Sequence, residues 1–166
     1  LDLWIEKIKP RAPRAELHIY SAAFVSADSG TILPDTLQEL YQRVLVAEKS
    51  GVVIKAPTGD RGMAESYRSA RVHLYPGSET EMYCSTLAES QAVGLPAVAR
   101  PLGAVRERVI SGKSAFLSEA DNDFVDHTVR MLVDDDEFNS ASVVARRNGR
   151  TRSWDATARE FETVFR

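Results

Sequence analysis

Two glutamates with seven residues between them, Glu81 and Glu89, mark the stretch of this chain whose residue types and spacing best fit a binding site. The sequence predicts a loop at Glu81, a helix of small residues that ends at Gly94, and a short apolar strand from Pro96. Carboxylates accept paired hydrogen bonds from vicinal hydroxyls, and the free N–H groups and dipole of a helix start attract phosphate. Together these groups suit a sugar that is linked to a diphosphate.

Each carboxylate also has an interpretation that needs no ligand. Glu81 belongs to the acidic run 79–81, which is typical of an exposed loop. Glu89 completes the pattern T-L-A-E at 86–89, a capping box in which its side chain would return to the Thr86 N–H. Because a carboxylate has about four acceptor positions, capping and ligand binding are compatible.

The spacing of the cysteine and the histidines favours neither thiol nor metal chemistry. Cys84 lies beside the predicted helix start, an environment that lowers a thiol pKa, but no histidine is spaced to pair with it. His18, His73 and His127 are scattered and lack the spacing of metal ligands. We therefore predict no catalytic nucleophile in this chain.

A D-x-D string at 121–123 raises the alternative of a divalent metal site. It directly precedes a predicted helix, where Asp and Asn serve as N-cap residues and partners of the helix dipole. We therefore expect no metal and no other cofactor.

Composition narrows the class of protein. The 166 residues are 43% hydrophobic and 27% charged, as in soluble globular domains, and the net charge of −3 gives no electrostatic case for nucleic acid. A single cysteine excludes an intramolecular disulfide and predicts a cytoplasmic protein. No apolar run approaches the roughly 20 residues that span a bilayer. A basic cluster near a helix end predicts a solvated face, with weak phosphate or membrane contact as the alternative; its members are Arg146, Arg147, Arg150 and Arg152.

Strands alternate with helices along the sequence, which predicts a parallel α/β sheet. The predicted strands are Leu17–Tyr20, Val52–Lys55, Val72–Tyr75, Pro96–Ala99 and Ala115–Leu117. The predicted helices are Asp2–Lys9, Asp35–Glu48, Met63–Ser69, Val105–Ile110, Asp123–Val133, Glu137–Arg147 and Trp154–Phe165, besides the one around Glu89. Residues 22–33 are predicted as a loop. No repeat or low-complexity linker is visible, so we predict one domain over residues 1–166.

The stretch from Glu81 resembles the Glu-x7-Glu motif of the retaining GT-B glycosyltransferases known as group 1, whose usual pattern is E-x-F-G-x-x-x-x-E-A-x-A-x-G-x-P-V. The residues that fall on or near this pattern are Glu81, Glu89, Ala92, Gly94, Pro96 and Val98. Tyr83 replaces the usual Phe and Cys84 the usual Gly. The order of elements resembles the same family over nearly the whole chain, down to a closing helix that resembles its last one.

The resemblance implies a three-layer, Rossmann-like fold with a mainly parallel sheet, the C-terminal, donor-binding half of a GT-B enzyme. Its substrate would be a nucleoside-diphosphate sugar, transferred with retention of configuration. The donor sugar would meet Glu81, Tyr83 and Cys84, and the nucleotide ribose would meet Glu89. Backbone N–H groups would hold the diphosphate, and Lys55 would lie near the base; the backbone donors are those of Ser85, Thr86 and Leu87.

Three parts of the family's pattern are not found in this sequence. The first strand of the domain and a basic Arg/Lys pair would lie before Leu1, and so would the N-terminal, acceptor-binding half. We therefore expect a fragment of a hexosyltransferase-type enzyme that does not turn over by itself. The alternatives are a non-catalytic Rossmann-like nucleotide-binding or interaction module and a related GT-B enzyme such as an epimerase or phosphorylase.

Overall fold

The computed structural model describes residues 1–151 and 153–165. Arg152, a member of the predicted basic cluster, and the terminal Arg166 lie outside the described residues. Residue contacts divide the chain into two compact units, Leu1–Met63 and Ala64–Arg166, and the boundary falls inside a helix, α3 (Asp60–Ser69). The assignment of residues 1–166 to one donor-binding domain stays a prediction.

The first unit combines two parallel strands with two helices. Strand β1 (Leu17–Tyr20) pairs with β2 (Val52–Lys55), with Leu17 opposite Val52. A π-helical turn over Leu3–Ile8 buries Trp4, whose indole N–H donates to the Ser50 carbonyl at 3.0 Å. Helix α2 (Asp35–Ala47) continues into a 3-10 turn, Glu48–Ser50, which ends at Gly51 with φ of +74°. The two strands and α2 fall where the sequence predicted them.

The predicted loop over residues 22–33 is wrong in its first half. Helix α1 spans Ala22–Asp28 because Ser21 caps it, with its hydroxyl oxygen accepting the Phe24 N–H at 3.2 Å. The helix buries Phe24 against the ring of Tyr41, with 5.3 Å between ring centroids. A cap and one anchoring aromatic side chain therefore outweigh the loop-forming residues that follow.

The second unit contains a three-stranded parallel sheet. Its strands are β3 (His73–Tyr75), β4 (Ala97–Ala99) and β5 (Ala115–Leu117), in that order across the sheet. The central strand β4 is fully buried along its length, so apolar side chains lie on both of its faces. Tyr75 lies opposite Ala99, so the carboxyl ends of β3 and β4 reach the same edge of the sheet.

Helix α4 (Ser85–Val93) connects β3 to β4, and it packs most extensively against α7 (Asp135–Gly149). The two helices approach closely, since a Cβ at Gly149 would lie 2.4 Å from the Ala92 nitrogen. The remaining helices are α5 (Val105–Arg108), α6 (Asp121–Val133) and α8 (Trp154–Val164). Helix α4 is thus fixed from several sides, and so is the position of its first turn.

Parallel strands that alternate with helices confirm the predicted Rossmann-like α/β fold. Most predicted elements are found within one to three residues of their predicted ends. The five strands lie in two sheets, β1–β2 and β3–β4–β5, whereas the sequence predicted one. Within the described residues, β4 pairs with two strands, and β1, β2, β3 and β5 each pair with one.

Candidate functional site

Cys84 determines where helix α4 begins. Its φ of +55° lies in the left-handed region, and no other non-glycine residue in the described ranges has a positive φ of this kind. The helix then starts at Ser85, and the first helical hydrogen bond runs from the Ala88 N–H to the Cys84 carbonyl at 3.0 Å. This backbone conformation, which is ordinary only for glycine, gives a physical reason for the glycine in the family's pattern.

The first turn of α4 contains three backbone N–H groups without an acceptor, at Ser85 and Thr86, which are exposed, and at Leu87, which is buried. Those of Ser85, Thr86 and Leu87 make no hydrogen bond with any residue that the structure describes, and no side chain caps this helix. Side chains cap α1, α7 and α8, whereas α2, α5 and α6, like α4, lack a side-chain cap. Free N–H groups at the positive end of a helix dipole form a site that suits an anion.

The predicted capping box at 86–89 is wrong. Thr86 lies inside the helix, not at its N-cap, and both Thr86 and Glu89 are exposed. The left-handed turn at Cys84 starts the helix two residues before the motif would, so Glu89 cannot return to an N-cap at Thr86.

Glu81 is held by three hydrogen bonds. Its Oε1 accepts the Cys84 N–H at 2.9 Å and the Tyr83 N–H at 3.4 Å, and its Oε2 accepts the Tyr75 hydroxyl at 2.9 Å. These donors lower the pKa of the Glu81 carboxyl, the Cys84 N–H most and the Tyr75 hydroxyl next. Glu81 is therefore not the loosely solvated loop carboxylate that the acidic run suggested.

Glu89 differs from Glu81 in its surroundings. Its carboxylate is exposed and accepts no hydrogen bond from a described residue. It follows Ser85 by four positions on α4, so the two residues lie on one face of the helix, one turn apart. An exposed acceptor one turn from the free N–H groups is available to a ligand.

Tyr83 and Arg108 close one side of the loop. Tyr83 is 54% exposed, and the Arg108 guanidinium carbon lies 4.0 Å from the centroid of its ring. The Arg108 Nε also donates to the Tyr83 carbonyl at 2.6 Å. The cation–π contact and the hydrogen bond fix an aromatic surface beside the start of α4.

The Cys84 thiol is fully buried, and it packs with Leu87, Ala97 and Val105 in the core of the second unit. Burial is the main reason why the pKa of the thiol is raised, although the adjacent Tyr75 hydroxyl acts in the opposite direction. The side chain is thus a neutral core group, so only the backbone of Cys84 can contact a ligand.

Lys55 ends β2 in the first unit, where its side chain is exposed. Its assignment to the nucleotide base stays a prediction. Asp121 and Asp123 lie in the first turn of α6, where their charges suit the helix dipole as predicted. The predicted N-cap role is wrong, because the N-cap is Ala120 and no side chain caps this helix; Asp121 instead pairs with Arg100. Within residues 1–151 and 153–165, no three His, Cys, Asp or Glu side chains form a group that could hold a metal ion.

The sequence interpretation missed three residues that shape this site. They are Tyr75, Arg108 and Gly103. A Cβ added at Gly103 would lie 2.3 Å from the Glu81 carbonyl oxygen. Tyr75 ends a strand next to a proline, a position where site residues of α/β sheets are common, and this signal was available. No local pattern pointed to the other two.

None of the helices described here combines the length and the apolar character needed to cross a membrane.

A family model described as "Glycosyl transferases group 1" matches residues 1–134, about four-fifths of the chain. The site residues from Glu81 to Glu89 lie inside this match.

Curated relatives carry the name D-inositol 3-phosphate glycosyltransferase. The protein from Thermomonospora curvata is 32% identical over 139 residues, and that from Streptomyces avermitilis is 29% identical over 139 residues. The protein from Kineococcus radiotolerans is 33% identical over 149 residues. These matches cover 82% to 83% of this chain.

The chain spans about 30% of the length of these relatives, with shares of 32%, 29% and 33%. The family match includes the strands β3 and β4, the helix α4 between them and both glutamates of the motif. The chain therefore belongs to the group 1 glycosyltransferases and forms a glycosyltransferase domain with a Rossmann-like fold.

Proposed function

We propose that this chain is the donor-binding domain of a hexosyltransferase that moves a sugar from a nucleoside diphosphate to an acceptor with retention of configuration. The observation that carries the proposal is the uncapped start of α4, where three N–H groups lack an acceptor in the described part of the chain. A diphosphate bound there would gain hydrogen bonds and the favourable helix dipole.

The two glutamates then divide the rest of the donor between them. Glu89, exposed and without a partner among the described residues, would accept hydrogen bonds from the ribose hydroxyls. Glu81, the exposed Tyr83 and the backbone of Cys84 would contact the sugar. We expect no catalytic nucleophile in this domain, which would act by orienting the donor and stabilising the departing diphosphate.

The acceptor lies outside this proposal. The relatives' name specifies a phosphorylated inositol, but the chain spans only about 30% of their length. We propose that a second, acceptor-binding domain completes the enzyme, that no metal takes part, and that the enzyme works in the cytoplasm, where the free thiol of Cys84 would be kept reduced.

Calorimetric titration of the chain with UDP-glucose, GDP-mannose and ADP-glucose tests the donor site. We expect one of the three to bind, and Glu89→Gln to weaken it about tenfold, since a hydrogen bond to a charged group contributes roughly 1.5–3 kcal/mol. The matched control is Glu162→Gln, which changes an exposed carboxylate on α8 and leaves binding unchanged.

Two outcomes would contradict the proposal. If none of the three nucleotide sugars or their nucleoside diphosphates binds, the donor-site proposal is wrong and the alternative of a non-catalytic interaction module is favoured. If the chain alone transfers sugar efficiently, the requirement for a second domain is wrong.

A further inference from the structure

Glu81 has little hydrogen-bonding capacity left for a ligand. An ionised carboxylate offers about four acceptor positions, and the donors from Tyr75, Tyr83 and Cys84 occupy all but roughly one of them. The paired hydrogen bonds to vicinal hydroxyls that the sequence suggested are therefore not available in this conformation. One sugar hydroxyl can be accepted, in the direction that the other three bonds leave open.

Tyr75 is the donor that connects this carboxylate to the sheet. Tyr83 and Cys84 follow Glu81 within three residues, so their N–H groups move with the same loop. Tyr75 is the last residue of β3, and its carbonyl accepts the Arg100 N–H at 3.0 Å beside its pairing with Ala99. Its hydroxyl is thus held at a fixed place relative to the central strand.

We propose that Tyr75 is a positioning residue of the donor site, which acts through Glu81 by fixing the carboxylate so that it accepts one hydroxyl of the donor sugar. The inference rests on the proposed donor-binding function. Burial raises the pKa of the Tyr75 hydroxyl, as does its bond to Glu81, so the hydroxyl stays protonated and remains a donor. The other charged or titratable groups around this corner include the Cys84 thiol, the side chains of Glu107 and Arg108 on α5, and the imidazole of His73 on β3, whose ring contacts Tyr75.

Tyr75→Phe removes the hydroxyl and keeps the ring. Because the lost bond favours the ionised carboxylate, the midpoint of the Glu81 titration, followed by carboxyl carbon NMR and assigned with Glu81→Gln, should move to higher pH. A merely structural role of Tyr75 would lower stability without moving this midpoint. An unchanged midpoint would overturn the inference.

Tyr41→Phe is the matched control. It also removes a tyrosine hydroxyl that donates to a carboxylate, that of Asp28 in the first unit. This variant should leave both the Glu81 midpoint and nucleotide-sugar affinity unchanged. A shift of equal size in both variants would mean that the effect is not specific to Tyr75, and would also overturn the inference.

Calorimetry supplies the second arm, with whichever of UDP-glucose, GDP-mannose and ADP-glucose binds the unmodified chain. We expect Tyr75→Phe to weaken the nucleotide sugar about fivefold to tenfold at pH 8, while the matching nucleoside diphosphate binds as before. In a Glu81→Gln background, Tyr75→Phe should have no further effect on affinity, because the residue through which it acts has been changed. Additive losses in the double variant would count against positioning through Glu81.

The two arms separate the two claims. Binding by the unmodified chain with no effect of Tyr75→Phe on the Glu81 midpoint overturns this inference and leaves the proposed function standing. Failure of the unmodified chain to bind any of these nucleotide sugars or their nucleoside diphosphates overturns the proposed function and this inference with it. Binding of a nucleoside diphosphate without binding of its sugar form overturns this inference alone. If Tyr75→Phe does not fold, monodeoxy forms of the bound sugar test whether Glu81 accepts a single hydroxyl. The unmodified chain and Glu81→Gln are compared, and Glu81→Gln should lose the preference for the intact sugar over at most one monodeoxy form. Loss of this preference at two adjacent hydroxyl positions would overturn the inference.

Discussion

At the scale of single residues, Cys84 combines two demands that rarely fall on one position. Its backbone takes a left-handed conformation with φ of +55°, and its side chain is fully buried in the core. The conformation costs roughly 1–2 kcal/mol for a residue with a Cβ, whereas the buried thiol stabilises as a small apolar group. A glycine would relieve the first effect and lose the second.

We expect the free energy of unfolding of Cys84→Gly to equal or exceed that of Cys84→Ala, to within about 0.5 kcal/mol. The glycine variant removes one more buried carbon, but it also relieves the left-handed strain. Urea unfolding of the two variants measures the difference. The control is Ala97→Gly in β4, a fully buried position in a strand, where we expect a loss of about 1–2 kcal/mol. If Cys84→Gly is less stable than Cys84→Ala by as much as Ala97→Gly is destabilised, the left-handed backbone at position 84 carries no strain.

The residue types of the site could be predicted from the sequence, but their connections could not. Spacing pointed to Glu81, Glu89 and the start of a helix because those signals are local. The bonds that hold Glu81 come partly from Tyr75, six residues earlier and in a strand, and such tertiary hydrogen bonds leave no periodic pattern. The same reason explains why the stacking of Arg108 on Tyr83 was not predicted.

At the scale of elements, the loop between β4 and α5 supports the loop that carries Glu81. The Ala104 N–H donates to the Glu81 carbonyl at 2.8 Å. Gly103, with φ of +51°, lets the two backbones approach, since an added Cβ would lie 2.3 Å from the Glu81 oxygen and 2.8 Å from that of Ser78. The two loops therefore behave as one structural part.

Gly103→Ala should displace the Glu81 loop, with a loss of stability above about 2 kcal/mol and weaker nucleotide-sugar binding. Gly112→Ala is the matched control, because Gly112 also has a positive φ, +73°, but has no atom within 4 Å of the added Cβ. We expect that control to cost about 1–2 kcal/mol and to leave binding unchanged. Urea unfolding and calorimetry on both variants measure these effects, and equal losses would contradict the support of one loop by the other.

Element positions were predictable where the signal was a period or a breaker. Helix α2 and strands β2 and β5 follow their apolar patterns and the bounding glycines and prolines. The errors, α1 and the start of α4, occur where one residue decides the outcome: Ser21 by capping and Cys84 by its left-handed backbone. Such single-residue effects compete with composition, which favoured a loop at α1, and with the capping-box pattern at 86–89, which favoured a later start of α4.

At the scale of the whole molecule, one histidine makes the stability of the fold depend on pH in the acid range. His73 lies in β3, its Nδ1 is 2.8 Å from the Ser90 hydroxyl of α4, and its ring contacts Tyr67 and Tyr75. Burial lowers the pKa of His73 from 6.5 to about 4. The folded chain therefore keeps this imidazole neutral at pH values where an unfolded chain would protonate it.

The sign of the effect follows from proton binding. Between pH 6.5 and about 4 the unfolded state binds one more proton at this position, so the free energy of unfolding falls as the pH falls. At about 1.36 kcal/mol for each pH unit, the loss reaches at most about 3 kcal/mol. The lowered pKa of Glu81 acts in a lower window, because its contribution is complete above its ordinary value of 4.5 and is lost only below it.

His73→Phe should remove the dependence between pH 6.5 and 4 while the ring volume is kept. Ser90 remains bonded in this variant, because its hydroxyl also donates to the Leu87 carbonyl at 2.9 Å. Urea unfolding at pH 7, 5.5 and 4.5 should give a steep fall for the unmodified chain and a flatter one for His73→Phe. His18→Gln, at a partly exposed histidine of β1, is the control and should retain the steep fall. If His73→Phe keeps the slope of the unmodified chain, the acid sensitivity arises elsewhere, and the packing of β3 against α4 does not depend on a neutral imidazole.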